Sequence, residues 1–329
     1  MELILANNSS YPRIGDAAEH QLLRKTITQW EKGEKADADL RAAEDQMTEM
    51  ALAEQIEAGL DIVTDGQIRW YDPVSHPAGK LSGIQINGLL RFFDTNTYFR
   101  QPVVHAKIER TKALGLEEFL FARAKSSQPV KPVLTGPLTL ARLSLEQNGG
   151  AGGFEKVLEG YTAALAQEVA ALAAAGATLI QVDEPALLKH RGDVAHVERS
   201  LGTLAAAKGA AQLALALYFG DPAPLYDKLQ RLPIDVLALD FTYNPGLADV
   251  VATRGSSKML ALGLVDGRNT KLEDPSTLAR ELERMAARLK ASRAYLTPSC
   301  GLEYLPRDRA RLKLKHLSTI KKAFLGSKA

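Results

Sequence analysis

The chain has 329 residues, 46% of them apolar, and its 41 basic and 39 acidic residues leave a formal charge of +2. That length and apolar fraction support a large core, and the near balance of charge leaves no basic footprint for nucleic acid. A single cysteine, Cys300, excludes an intrachain disulfide framework, and no apolar run approaches the length of a membrane span. Residues 1–8 carry no basic leader, so a cytoplasmic chain is expected.

The first apolar run, residues 3–6, reads as a strand. Leu40, Ala43, Met47 and Met50 then share one helical face, Gly59 follows as a stop, and residues 60–63 lead as a second strand to Asp65 and Gly66. Residues 79–108 break the rhythm with apolar and polar residues in alternation; Asn87-Gly88 and Asp94-Thr95-Asn96 predict β-hairpins inserted after strand two. A third strand is expected at 132–135, and the glycine-rich stretch 148–153 reads as a mobile loop. Leu158, Tyr161, Leu165, Val169 and Leu172 repeat the helical spacing, Gly176 follows, and residues 178–182 run to Asp183.

Four more runs, at 213–218, 236–239, 259–264 and 294–297, bring the strands to eight, with helical patterns between most of them. Their continuous apolar character suits buried parallel strands. The fold expected is α/β, a (β/α)8 TIM-type barrel with a β-hairpin excursion after strand two, formed as one domain over residues 1–329. An open doubly wound sheet would be the rival, but no Gly-rich dinucleotide fingerprint follows the first strand.

In such a barrel the working site lies at the carboxyl ends of the strands. The residues expected there are Ser9, Ser10 and Arg13; Asp65 and Gln67; Thr135-Gly136-Pro137; Asp183-Glu184-Pro185; Tyr218; Asp240; Asp266, Arg268 and Asn269; and Ser299 and Cys300. Several carboxylates on one rim can hold a small-molecule substrate through an ammonium group, and Arg13 suits an anion. Plainer readings stand beside these. Asp183-Glu184-Pro185 fits a helix start, Asp266 to Asn269 a turn, and Cys300 a small buried hydrophobe.

Five segments share a pattern in order and spacing: Tyr11-Pro12-Arg13-Ile14-Gly15, the stretch from Asp65 to Asp72, Gln181 to Leu187, Val265 to Asn269, and Pro298 to Gly301. Together they make the chain resemble the cobalamin-independent methionine synthase family over its whole length. That resemblance implies a barrel which moves a methyl group from methyltetrahydrofolate, or another donor such as a corrinoid protein, to homocysteine. In the family's catalytic half, zinc is held by a His-x-Cys pair on one strand, an acidic residue on the next and a distant cysteine. The resemblance sets the first two stations on Leu215 and Leu217, and the remnants on Asp240 and Cys300. No metal is therefore expected in this chain alone, because leucine cannot ligate zinc.

The Trp70-Tyr71-Asp72 and Pro298-Ser299-Cys300 forms look more like the family's N-terminal half, which helps hold folate. This implies Arg13, Arg24, Lys25 and Trp70 as folate-binding residues, and Ser10, Gln67, Asp183, Glu184, Asp266 and Asn269 as substrate-binding ones. It also implies a separate zinc-bearing barrel as partner in a split enzyme. The alternatives are a non-catalytic folate-binding or scaffolding subunit, and a metal-free decarboxylase-like barrel of the wider superfamily.

Overall fold

The computed structural model describes residues 1–147 and 152–326, so most of the glycine-rich stretch 148–153 lies outside the described residues. In chain order the strands are β1 (Glu2–Leu5), β2 (Leu81–Arg91), β3 (Tyr98–Arg110), β4 (Val133–Thr135), β5 (Leu145–Glu146), β6 (Leu179–Asp183), β7 (Gln212–Leu217), β8 (Val236–Asp240), β9 (Met259–Val265) and β10 (Arg293–Pro298). Seven of them form one parallel sheet in the order β1-β10-β9-β8-β7-β6-β4. The ring is closed by the short run at 62–63, where Ile62 bridges Ala6 and Val63 bridges Val130, both in parallel. All eight expected runs are thus staves of the barrel, and helices stand between most of them.

Local rules account for the staves and their connections. The helix Asp37–Glu57 buries Met47, Ala51 and Leu52. It gives way at Gly59, whose φ of 85° is a left-handed conformation that costs a residue without Cβ little, and the chain turns into the 62–63 run. The same design recurs where the helix Phe154–Ala174 precedes β6.

Two-residue periodicity then sorts each strand between bore and outer wall. Ala214 and Ala216 of β7 pack with Ala6, Leu179, Val236, Ala238, Ala261 and Tyr295, a cluster drawn from strands around the whole ring. Leu213, Leu215 and Leu217 instead join the large cluster that includes the surrounding helices. Each such leucine contributes roughly 2 kcal/mol by leaving water. The two stations that the resemblance sets on Leu215 and Leu217 thus belong to the large outer cluster, and Ala214 and Ala216 of β7 to the inner one.

Between the 62–63 run and β4, the chain makes one hairpin. Strands β2 and β3 pair antiparallel from Leu81 opposite Arg110 to Arg91 opposite Tyr98, and β5 adds to β3 in parallel. The turn lies at Asp94-Thr95-Asn96, where Thr95 Oγ1 donates to Phe92 O at 2.6 Å. Asn87-Gly88 is not a second turn. It falls inside β2 between Ile86 and Leu89, where the register shifts, so the ladder absorbs the pair as an irregularity.

Candidate active site at the mouth of the barrel

The carboxyl ends of β4 and β6 carry a buried polar network. Lys131, just before β4, donates from Nζ to Asn8 O at 2.8 Å, to Asn7 O at 3.0 Å and to Gln181 Oε1. Gln181 Nε2 donates to Asp183 Oδ1 at 2.7 Å, and Tyr218 donates its hydroxyl proton to Asp183 Oδ2 at 3.1 Å. Burial pushes the Asp183 carboxyl above the usual range, against Gln181, Lys131 and Tyr218, which all favour its charged form. Burial likewise pushes the Lys131 ammonium down.

Glu184 has a different task. Its Oε1 accepts from Leu138 N at 2.9 Å, and its Oε2 accepts from Thr139 N at 2.7 Å and Thr139 Oγ1 at 2.6 Å. These are orphan donors in the first turn of the helix Pro137–Leu143, so Glu184 caps that helix from another stave. The approach is close: a Cβ at Gly136 would lie 2.2 Å from the Glu184 carboxyl carbon. Burial still raises Glu184 to about 7. Both oxygens of Glu184, expected among the substrate contacts, thus accept from the helix Pro137–Leu143. A helix does start here, Ala186–Lys189 directly after Pro185 with its φ of −61°, but no side chain caps it, so Asp183 is not its cap.

The loops after β1 and the 62–63 run form the next part of the rim. Ser10 is buried and its carbonyl accepts from Leu302 N at 3.0 Å. Gly66 and Gln67 both adopt positive φ, 72° and 53°, in a tight reversal that leaves Asp65 and Gln67 buried. Burial raises Asp65 to about 6, with the charge of Glu118 adding to the effect.

Arg13 Nε donates to Ile68 O at 2.7 Å, its guanidinium lies 5.5 Å from the centre of the Tyr71 ring, and its Nη2 is buried without a partner. Arg13, Arg24, Ile14, Leu23, Ile27 and Glu303 line a cavity of about 350 Å³. Lys25, exposed on the helix Leu22–Glu31, is not part of its lining. Trp70 is 5% exposed and stacks on His76 at 5.1 Å, so its ring is used in packing rather than presented at the mouth.

The remaining rim is aromatic. Phe219, just past β7 with a φ of 65°, packs on Tyr218 at 4.7 Å, on Tyr304 at 5.7 Å, and on Phe93 and Phe92 from the hairpin turn at 6.0 and 6.2 Å. Arg268 lies over Phe219 and pairs with Asp94 at 3.4 Å, tying the loop after β9 to the hairpin. The hairpin therefore covers part of the mouth. Asp266 Oδ1 accepts from Arg268 N, and Asn269 Oδ1 from Lys271 N, so both side chains shape their own turn at the rim.

Asp240 Oδ1 accepts from Thr242 N, Thr242 Oγ1 and Tyr243 N. Cys300 is fully buried; burial, reinforced by the Asp240 charge, pushes its thiol well above the ordinary value. A tetrahedral zinc takes four ligands, or three and a substrate atom. Among the described residues no three His, Cys, Asp or Glu side chains are grouped to hold a metal. With alanines facing the bore from β7, the donor set does not fit zinc.

Sequence reasoning missed Lys131, Thr139, Glu303 and Tyr304. Lys131 had a signal: a charge between Val130 and Pro132 at the start of a strand that is otherwise apolar. The other three have none: Thr139 meets Glu184, Tyr304 meets Phe219, and Glu303, besides its neighbour Tyr304, meets Ser10, each far away along the chain.

Residues 10–323 match the model of the family described as "Cobalamin-independent synthase, Catalytic domain". The chain is 30% identical to the methionine synthase of Sulfurisphaera tokodaii over 317 residues, 94% of this chain and 88% of that protein. It is 29% identical to that of Saccharolobus solfataricus, across 93% and 90% of the two chains. In fold it is similar to a B12-independent methionine synthase from Shewanella solved in complex with selenomethionine, with a TM-score of 0.77, 22% identity and coverage of 99% and 100%.

Proposed function

Because this chain belongs to the cobalamin-independent synthase family and is an enzyme of the methionine synthase type, we propose that it serves methyl transfer from methyltetrahydrofolate, or another methyl donor, to homocysteine. It does so as one component of a split enzyme whose zinc-bearing barrel is a separate polypeptide. The observation that carries this reading is the pairing of two features at one mouth. One is a carboxylate network ending in Asp183 and Tyr218; the other is a cavity in which Arg13 keeps a buried N–H without a partner. An amino acid's ammonium fits the first and a carboxylate of the folate glutamate tail fits the second.

In this arrangement Asp183, Gln67 and Ser10 hold the amino acid, with Asp266 and Asn269 shaping the rim beside them. Arg13 and Arg24 hold the donor's carboxylates, Lys25 adds charge at the cavity's approach, and Trp70 supports the loop that carries Arg13's partner Ile68. A neutral amide at Gln67 binds an ammonium less well than a carboxylate would. No step is assigned to zinc on this chain, which is why the reading includes a partner barrel to make the thiol nucleophilic. We read residues 1–329 as one barrel domain acting in the cytoplasm; among the described residues no helix is long and apolar enough to cross a membrane.

Calorimetric titration with methyltetrahydrofolate polyglutamate tests the reading. Binding is expected, and Arg13→Ala should weaken it about tenfold or more, as loss of a charge-assisted hydrogen bond does. Absence of binding, with and without a zinc-bearing barrel added, would sink the proposal in favour of a scaffold. Stoichiometric zinc in the purified chain, lost in Cys300→Ala, would overturn the zinc-free part of it.

A further inference from the structure

A lysine within the bore of a barrel needs a reason, because a buried cation is costly where a leucine or methionine would pack without penalty. Lys131 is 4% exposed and sits between Val130 and Pro132. Its three acceptors, Asn7 O, Asn8 O and Gln181 Oε1, use three N–H bonds, and a neutral amine has only two. The geometry is therefore that of the ammonium.

The orientation of Gln181 matches an ammonium there: its amide oxygen faces Lys131 and its NH2 faces away, toward Asp183. Gln181 Nε2 reaches Asp183 Oδ1 at 2.7 Å and Asn8 Oδ1 at 3.3 Å, while Tyr218 supplies the second hydrogen bond to the carboxylate. The chain Lys131–Gln181–Asp183 thus has a direction, with a cation at its inner end and a hydrogen-bond acceptor at the mouth.

We propose that Lys131 is a positioning residue, which through Gln181 fixes Asp183 as the acceptor for the amino group of the substrate. The inference deepens the function proposed above and rests on its amino-acid substrate. Lys131 does not touch that substrate; it sets the state and aim of the group that does. Asp183 is faced by Gln181 and Lys131 from two staves, by Tyr218 beyond β7, by Glu303 from the loop after β10, and by its neighbour Glu184. Burial, with a smaller push from Glu303, favours the neutral carboxyl; the Gln181 hydrogen bond, the Lys131 charge and Tyr218 oppose it, so removing the cation or its link moves Asp183 further toward the neutral form.

The test is titration of the full-length chain with L-methionine, the product amino acid, from pH 5.5 to 9, for the wild type, Lys131→Met, Lys131→Arg and Gln181→Leu. Lys131→Met is expected to weaken binding about tenfold near pH 7, and to move the pH at which binding fails upward by about one unit. Lys131→Arg should restore part of both effects, because it keeps the charge. Gln181→Leu breaks the link while leaving Lys131 its two backbone carbonyls, and should reproduce the pH shift even if Lys131→Met does not fold. A purely structural lysine would lower the melting temperature and leave affinity and pH profile unchanged; that result overturns the inference alone. Failure of the wild type to bind L-methionine overturns the amino-acid reading and this inference with it.

Discussion

On the β4 and β6 side of the mouth, Lys131, Asp183 and Glu184 are each held by two or more polar partners. On the β7 and β10 side, Phe219, Tyr304, Phe92 and Phe93 fill the rim with ring contacts. The difference shows how one barrel stabilises a cleft in two ways. The polar side is specified by direction, since its donors and acceptors are matched one N–H or O–H at a time. The aromatic side is specified mainly by shape, through the edge and tilted contacts of its rings.

The largest break expected is on the aromatic side. Phe219→Ala removes a fully buried ring that touches the hairpin turn, Tyr218 and Tyr304, and should cost about 3–5 kcal/mol in denaturant unfolding. A loss under about 1 kcal/mol would mean that the hairpin is not held by this cluster. Next comes Glu184→Ala, which strands two helix N–H groups and the Thr139 hydroxyl; about 2–4 kcal/mol should be lost. An unchanged melting temperature would show that the capping carboxylate is replaceable.

The smallest effect sharpens the comparison through pH. Burial holds Glu184 at about 7, above its ordinary 4.5, so between those values the folded state keeps a proton that the unfolded state has released. Stability from this group is therefore greatest at low pH and falls as pH rises through 7. Compared with Glu184→Gln, the wild type should lose roughly 1–3 kcal/mol between pH 5 and pH 8. A parallel pair of stability curves would show that the three hydrogen bonds keep the carboxylate charged throughout.

Much of this molecule is written locally. The eight staves were legible because buried parallel strands are apolar along their length and because glycines such as Gly59 mark where helices end. The hairpin was legible at Asp94-Thr95-Asn96, whose turn chemistry is intrinsic. Asn87-Gly88 carries the same chemistry yet lies within β2, since the ladder on both sides outweighs a local preference. The rim stations Asp183 and Tyr218 were found, but not the bond between them.

What the sequence determined by itself was the number of staves, their apolar wall and the residues available at their ends, because these depend on periodicity within a dozen neighbours. The closed ring decided the rest. It turned Leu215 and Leu217 outward and Ala216 inward, gave Glu184 to a helix from another stave, and set Lys131 under Gln181 and Asp183. Those outcomes follow from which face of a strand meets the bore and which strand lies beside it, and both are fixed only when the sheet closes.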